Sequence, residues 1–140
     1  MNLVYKKYDD IYLDDIVNLW NEEIYGHEIY AEFTKESFKE KFVNNPNFDI
    51  DGTCVCLNEN ELVGFGCSNV FKDSDASSPG FITCLFVKKS YRFQGIGTTI
   101  LNKLESYLKS KGKTMVRNYF GAPINLKWYI PNTNKHEHLG

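Results

Sequence analysis

The apolar residues change their period around residue 90. Phe81-Ile82-Thr83-Cys84-Leu85-Phe86-Val87 is a nearly continuous apolar run, and its length and content predict a buried strand over 81–87. From Ile96 the spacing becomes helical. Ile96, Ile100, Leu101, Leu104 and Leu108 fall on one face and predict a helix from about Gly95 to Ser110. Lys109, Lys111 and Lys113 around Gly112 suit the end of that helix. A short basic turn joins strand to helix.

The same reading extends to the rest of the chain. Residues 2–8 alternate as a first strand. Asp9-Asp10 offers an N-cap for a helix whose apolar face is Ile11, Ile16, Leu19, Trp20 and Ile24, with Gly26 as its stop. Thr34 caps a second helix that carries Phe38 and Phe42 one turn apart and ends before Pro46. Residues 51–57 and 61–71 form a hairpin about Asn58-Glu59-Asn60, in which Gly64 and Gly66 mark a bulge or a close neighbour. A loop over 72–78 precedes the strand at 81–87, and Thr114–Asn118 is a fifth strand. The fold class is α/β (α+β).

The turn after the 81–87 strand carries the candidate chemistry. It reads Tyr91-Arg92-Phe93-Gln94-Gly95-Ile96-Gly97-Thr98. A helix entered this way presents unpaired N–H groups and the positive end of its dipole, which suits a phosphate. Gly95 and Gly97 lack the Cβ that would hold an anion away from the backbone. Arg92, with Lys88 and Lys89, adds positive charge. Two other phosphate-loop readings fail on spacing. A dinucleotide fingerprint needs a third glycine at Ile100, and a Walker loop ending Gly112-Lys113-Thr114 needs one at Tyr107. A tight turn with no ligand is the remaining reading of the glycines.

Composition narrows the setting. A chain of 140 residues is one domain, 1–140, with enough length for a hydrophobic core. The net charge of −2 comes with no basic face, which argues against nucleic acid. No run approaches a membrane span. Cys54, Cys56, Cys67 and Cys84 lie inside strand-like segments with no CxxC pair, so they read as buried thiols in a reducing, cytoplasmic compartment and not as a metal site.

Arg92-x-x-Gly95-x-Gly97, after a strand ending Leu85-Phe86-Val87 and opening a helix, resembles the acetyl-CoA signature of the GNAT N-acetyltransferase superfamily. The resemblance is clear over about residues 50–118. It implies a mixed, mostly antiparallel central sheet flanked by helices. It also implies acetyl-CoA as co-substrate, with pantetheine amides bonding to backbone at Leu85, Phe86 and Val87. The pyrophosphate would rest on N–H groups of Phe93, Gln94, Gly95, Ile96, Gly97 and Thr98, beside Arg92. The implied activity is acetyl transfer to a primary amine, either a small amine or an amino terminus. The alternative is a non-catalytic acyl-CoA-binding lobe that senses or scaffolds.

The sequence is silent on the catalytic groups. Residues 76–91 contain no Asp or Glu, and the nearest polar side chain, Thr83, could at most hold a water. In the family the connection between the first two helices commonly borders the acceptor. Here it is Tyr25–Phe33, with Glu22, Glu23, Glu28 and Glu32 nearby, as solvated acids or as a cation-binding wall. His27 reads as a surface or cap residue. After Asn118 the tail is too short for the family's usual helix and two strands. Tyr119 and Tyr129 fall outside the family's tyrosine motif, and His136 and His138 lie in a polar end. This 119–140 segment reads as a junction into a second lobe of a longer relative, with an exposed edge that could pair two copies.

Overall fold

The computed structural model describes residues 1–24 and 33–118. Five strands form one sheet in chain order: β1 (Leu3–Lys6), β2 (Thr53–Asn58), β3 (Glu61–Asn69), β4 (Gly80–Val87) and β5 (Val116–Asn118). The first three pairings are antiparallel, and β4 pairs with β5 in parallel. A parallel pair needs a crossover, which α3 (Ile96–Ser110) supplies. The mostly antiparallel mixed sheet flanked by helices is therefore present.

Strand alternation sends side chains to two cores. Val55 and Leu57 of β2, with Phe65 of β3, pack under α1 (Leu13–Ile24) and a short α2 (Lys35–Phe38). One π turn, Lys39–Val43, prolongs α2. Cys54, Cys56 and Val63 face α3 on the other side, against Ile96, Ile100, Leu104 and Leu108. Phe38 and Phe42 stack with centroids 4.6 Å apart, and both are fully buried with Phe65. Truncating one of these to Ala would cost about 3–5 kcal/mol.

Local chemistry explains the element ends. Thr34 accepts from the Ser37 N–H at 3.0 Å while Ser37 Oγ accepts from the Thr34 N–H at 2.9 Å, a reciprocal cap that starts α2. Asp9 Oδ1 accepts from the Ile11 N–H at 3.0 Å, but what it caps is a 3-10 turn, Asp10–Tyr12. Helix α1 begins only at Leu13, so Ile11 falls off the expected apolar face and is exposed. Leu13 and Val17 take the buried positions beside Ile16, Leu19 and Trp20. Lys113 is buried, and its Nζ donates to Ser74 Oγ at 2.9 Å and to the Asp75 carbonyl at 2.6 Å. The 72–78 loop is thereby tied to the chain just past α3.

Two features of the sheet position the candidate site. Gly64 and Gly66 let α3 lie flush on β3, because a Cβ at Gly66 would come within 2.6 Å of Ile100 Cγ2 and 2.9 Å of Leu104 Cδ1. They mark a close neighbour, and Gly64 also adjoins a bulge, since the β2–β3 register shifts there and leaves Val63 as the extra residue. The β3–β4 register shifts between Cys67 and Ser68, leaving Thr83 as the extra residue of a bulge. Beyond it Leu85 and Val87 face the α3 side and Phe86 the α1 side.

Several expectations lie outside the described residues. These are the Gly26 stop, His27, Glu28 and Glu32 of the helix connection, and everything assigned to 119–140, including Tyr119, Tyr129, His136, His138 and the pairing edge.

Candidate functional site

The site follows from how little of β4 its neighbour β5 covers. Their register pairs Gly80 with Val116, Phe81 with Arg117 and Ile82 with Asn118, and ends there. Among the described residues, Thr83–Val87 have no strand on that edge. An uncovered strand edge offers alternating N–H and C=O groups to an extended ligand.

The far wall is the start of α3. Its first backbone bond runs from the Thr99 N–H to the Gly95 carbonyl at 3.0 Å, so the N–H groups of Ile96, Gly97 and Thr98 have no acceptor within the helix. No side chain caps this end, in contrast to the Thr34 cap of α2. Gly95 has φ +84°, a left-handed conformation in which a side chain is strained. A Cβ there would meet no protein atom within 4 Å, and one at Gly97 would meet only Val87 Cγ2 at 3.7 Å. Protein packing therefore requires neither glycine to be bare. Their bareness keeps the floor of the cleft open.

Between these walls lies a cavity of about 460 Å³ lined by Leu85, Phe86, Val87, Tyr91, Arg92, Phe93, Gly95, Gly97 and Thr98. Eight of the ten residues singled out in the sequence line it. Ile96 does not, because its side chain is buried under β3, so only its main chain is near the cleft. Gln94 is exposed and lies off the lining. Tyr91 is an addition. Its hydroxyl donates to Glu61 Oε1 at 2.9 Å and accepts from Asn58 Nδ2 at 3.0 Å, which ties the loop to the β2–β3 turn.

The cations near the turn are committed elsewhere. Arg92 Nε donates to the Val87 carbonyl at 3.1 Å, and its Nη2 pairs with the Glu23 carboxylate in the last turn of α1. Lys88 Nζ lies 3.6 Å from Glu22 and 3.4 Å from Glu61. Partial desolvation pulls the Lys88 pKa down, and the two carboxylates more than offset this, so it stands above the usual lysine value. Lys89 is exposed, with no ion pair among the described residues. Glu23, whose side chain is largely buried, had no signal in the sequence beyond a helix-end acid.

Thr83 is not a cleft residue. It is fully buried, and its hydroxyl donates to Asn69 Oδ1 at 2.6 Å. Asn69 in turn donates to the Asn47 carbonyl at 2.9 Å. The bulge turns Thr83 into this network, so it holds no water for a substrate.

The connection between the first two helices is fastened where it is described. The Asn21 side chain donates to the Phe33 carbonyl at 2.8 Å and accepts from the Phe33 N–H at 2.9 Å. Among the described residues no three His, Cys, Asp or Glu side chains gather as a metal site, and no helix is long and apolar enough to cross a membrane.

Comparison with known proteins accounts for this arrangement. The family profile described as Acetyltransferase (GNAT) family matches residues 13–125. An uncharacterized N-acetyltransferase of Archaeoglobus fulgidus is 32% identical over 111 residues, spanning 78% of this chain and 76% of that protein. Another, of Methanocaldococcus jannaschii, is 30% identical over 112 residues, spanning 79% of this chain and only 50% of that longer relative. Among solved structures, the aminoglycoside N-acetyltransferase AAC(6')-Iy, in complex with the bisubstrate analogue CoA-S-monomethyl-acetylneamine, superposes with a TM-score of 0.64. It covers 100% of this chain and 90% of its own at 15% identity, a likeness of fold. Open β4 edge, bare glycine turn and family match agree: the chain belongs to the GNAT acetyltransferase family and is an acyltransferase.

Proposed function

We propose that this protein transfers an acetyl group from acetyl-CoA to a primary amine. One observation carries the reading: the half-covered edge of β4 runs directly to the uncapped, glycine-bearing start of α3. Pantetheine fits that edge as an extended strand, through the main chain of Leu85, Phe86 and Val87. The pyrophosphate fits the N–H groups over Phe93–Thr98. Side-chain identity matters little in either contact, and the glycines matter a great deal. The CoA-containing analogue in AAC(6')-Iy supports both the donor and an amine acceptor.

In this class a neutral amine adds to the thioester carbonyl, the C–S bond breaks, and the nitrogen gives up a proton as the thiolate leaves. The protein contributes chiefly positioning, which can supply several powers of ten in rate. Leu85–Val87 would fix the thioester, and the α1 end held by Glu23–Arg92 would set the acceptor side. No described carboxylate lines the cleft, so proton removal falls to water or to residues outside the described range. The four free, buried thiols support a reducing compartment, and we place the protein in the cytoplasm.

Titration calorimetry with acetyl-CoA, followed by thiol release over a panel of primary amines, tests the reading. Binding with amine-dependent release is expected. Absence of acetyl-CoA binding would overturn it.

A further inference from the structure

The turn that forms the proposed donor site turns one large side chain wholly to solvent. Phe93 has φ +63°, a conformation unfavourable for a bulky residue, and its exposure is 104%. The position costs backbone strain and hydration of an aromatic ring, with no packing in return. Yet Phe93 lines the cleft, which makes it a rim residue. The charges beside it are occupied: Arg92 by Glu23 and the Val87 carbonyl, Lys88 by Glu22 and Glu61. Lys89 alone of the three is without an ion pair among the described residues.

We propose that the Phe93 ring is the platform on which the adenine of the donor stacks. The nucleotide half of coenzyme A would then be held by aromatic surface more than by ion pairs. The proposal rests on the acetyl-CoA reading above. With pantetheine along β4 and pyrophosphate at the start of α3, the nucleoside must leave the cleft across its rim, where Phe93 stands. A purine offers a flat face to such a ring, and base–aromatic stacking amounts to about tenfold or more in affinity. The left-handed backbone is what turns the ring outward.

Calorimetry with two probes tests this: acetyl-CoA and S-acetyl-4′-phosphopantetheine, which lacks the nucleoside. Phe93→Asn removes the ring while tolerating the positive φ. Phe93→Trp keeps an aromatic face. The Asn variant is expected to lose about tenfold or more in acetyl-CoA affinity with a much smaller loss for the shorter probe, and the Trp variant to match the parent. Equal losses for both probes would mean that the turn, not the ring, was disturbed, and unchanged acetyl-CoA affinity would mean that the ring does not touch the base. Either result overturns the proposal while leaving the donor reading standing. A parent protein that binds neither probe overturns the donor reading itself.

Discussion

Arg92 and Glu23 form an ion pair that joins the turn after β4 to the last turn of α1. Since Arg92 also donates to the Val87 carbonyl, one side chain links the proposed donor edge of β4, the glycine turn and the last turn of α1. Arg92 is thus an engaged charge, and we expect it to act by positioning the turn. Arg92→Ala and Glu23→Gln should each lower kcat/KM, and the double variant should cost less than their sum. A coupling of about 0.5–3 kcal/mol is expected from a double-mutant cycle. Stability should fall by under about 1 kcal/mol, because the Arg92 end is nearly half exposed. Additive losses would show that the two act separately.

The glycines separate structure from binding. Gly97→Ala places a methyl group 3.7 Å from Val87 Cγ2, an ordinary contact, in a helix where Ala is favoured by about 0.5–1 kcal/mol. Urea unfolding should therefore show an equal or more stable protein. Acetyl-CoA affinity should stay close to the parent's, because the signature that the turn resembles takes Gly or Ala at this position. Gly95→Glu should abolish binding, since it adds strain at φ +84° and a negative charge beside the proposed phosphate position.

Asn21 fastens the start of α2 to α1 through both main-chain groups of Phe33. Asn21→Ala leaves a partly buried N–H and C=O without these partners, at about 1–3 kcal/mol for such a group. A fall in Tm of several degrees is expected by calorimetry. Asn21→Asp keeps the acceptor and loses the donor, so it should lie between parent and Ala variant.

Burial governs the alkaline limit of the fold. Desolvation pushes the Cys54 thiol up to about 11 and lifts Cys67 and Cys84 further. Tyr8 and Tyr107 rise as well, first by desolvation and then through Asp10 and Asp49. The folded state therefore holds protons that the unfolded chain releases from about pH 8.5 for thiols and about 10 for tyrosines. Their stabilisation is complete below those values and declines as pH rises towards the folded pKa values. Urea midpoints should be flat from pH 6 to 8 and drop progressively above about 9. A thiol reagent should label none of the four cysteines in the native protein at neutral pH and all of them in denaturant.

The 80–110 segment was legible in the sequence because everything that builds it is local. An apolar run, two glycines and a helical stripe each act over a few residues, and the Thr34 cap was legible for the same reason. Ile11 was misplaced because Asp9 caps a 3-10 turn before α1, and capping residues alone do not give the length of what they cap. Arg92 was visible as a charge, but its partner Glu23 lies 69 positions away and no spacing rule connects them. Asn21 was missed and Thr83 misassigned for a similar reason. Their roles depend on where a connection and a bulge turn an amide and a hydroxyl.

Gly64 and Gly66 have a consequence at a distance. Neither lines the cleft, yet the missing side chains set how deeply α3 sinks onto the sheet, and so the width of the gap between β4 and the start of α3. An alanine at Gly66 would press on the branched Ile100 side chain and lift the helix. The width of this cleft is thus set in part by atoms the chain leaves out, on a strand whose glycines lie outside its lining.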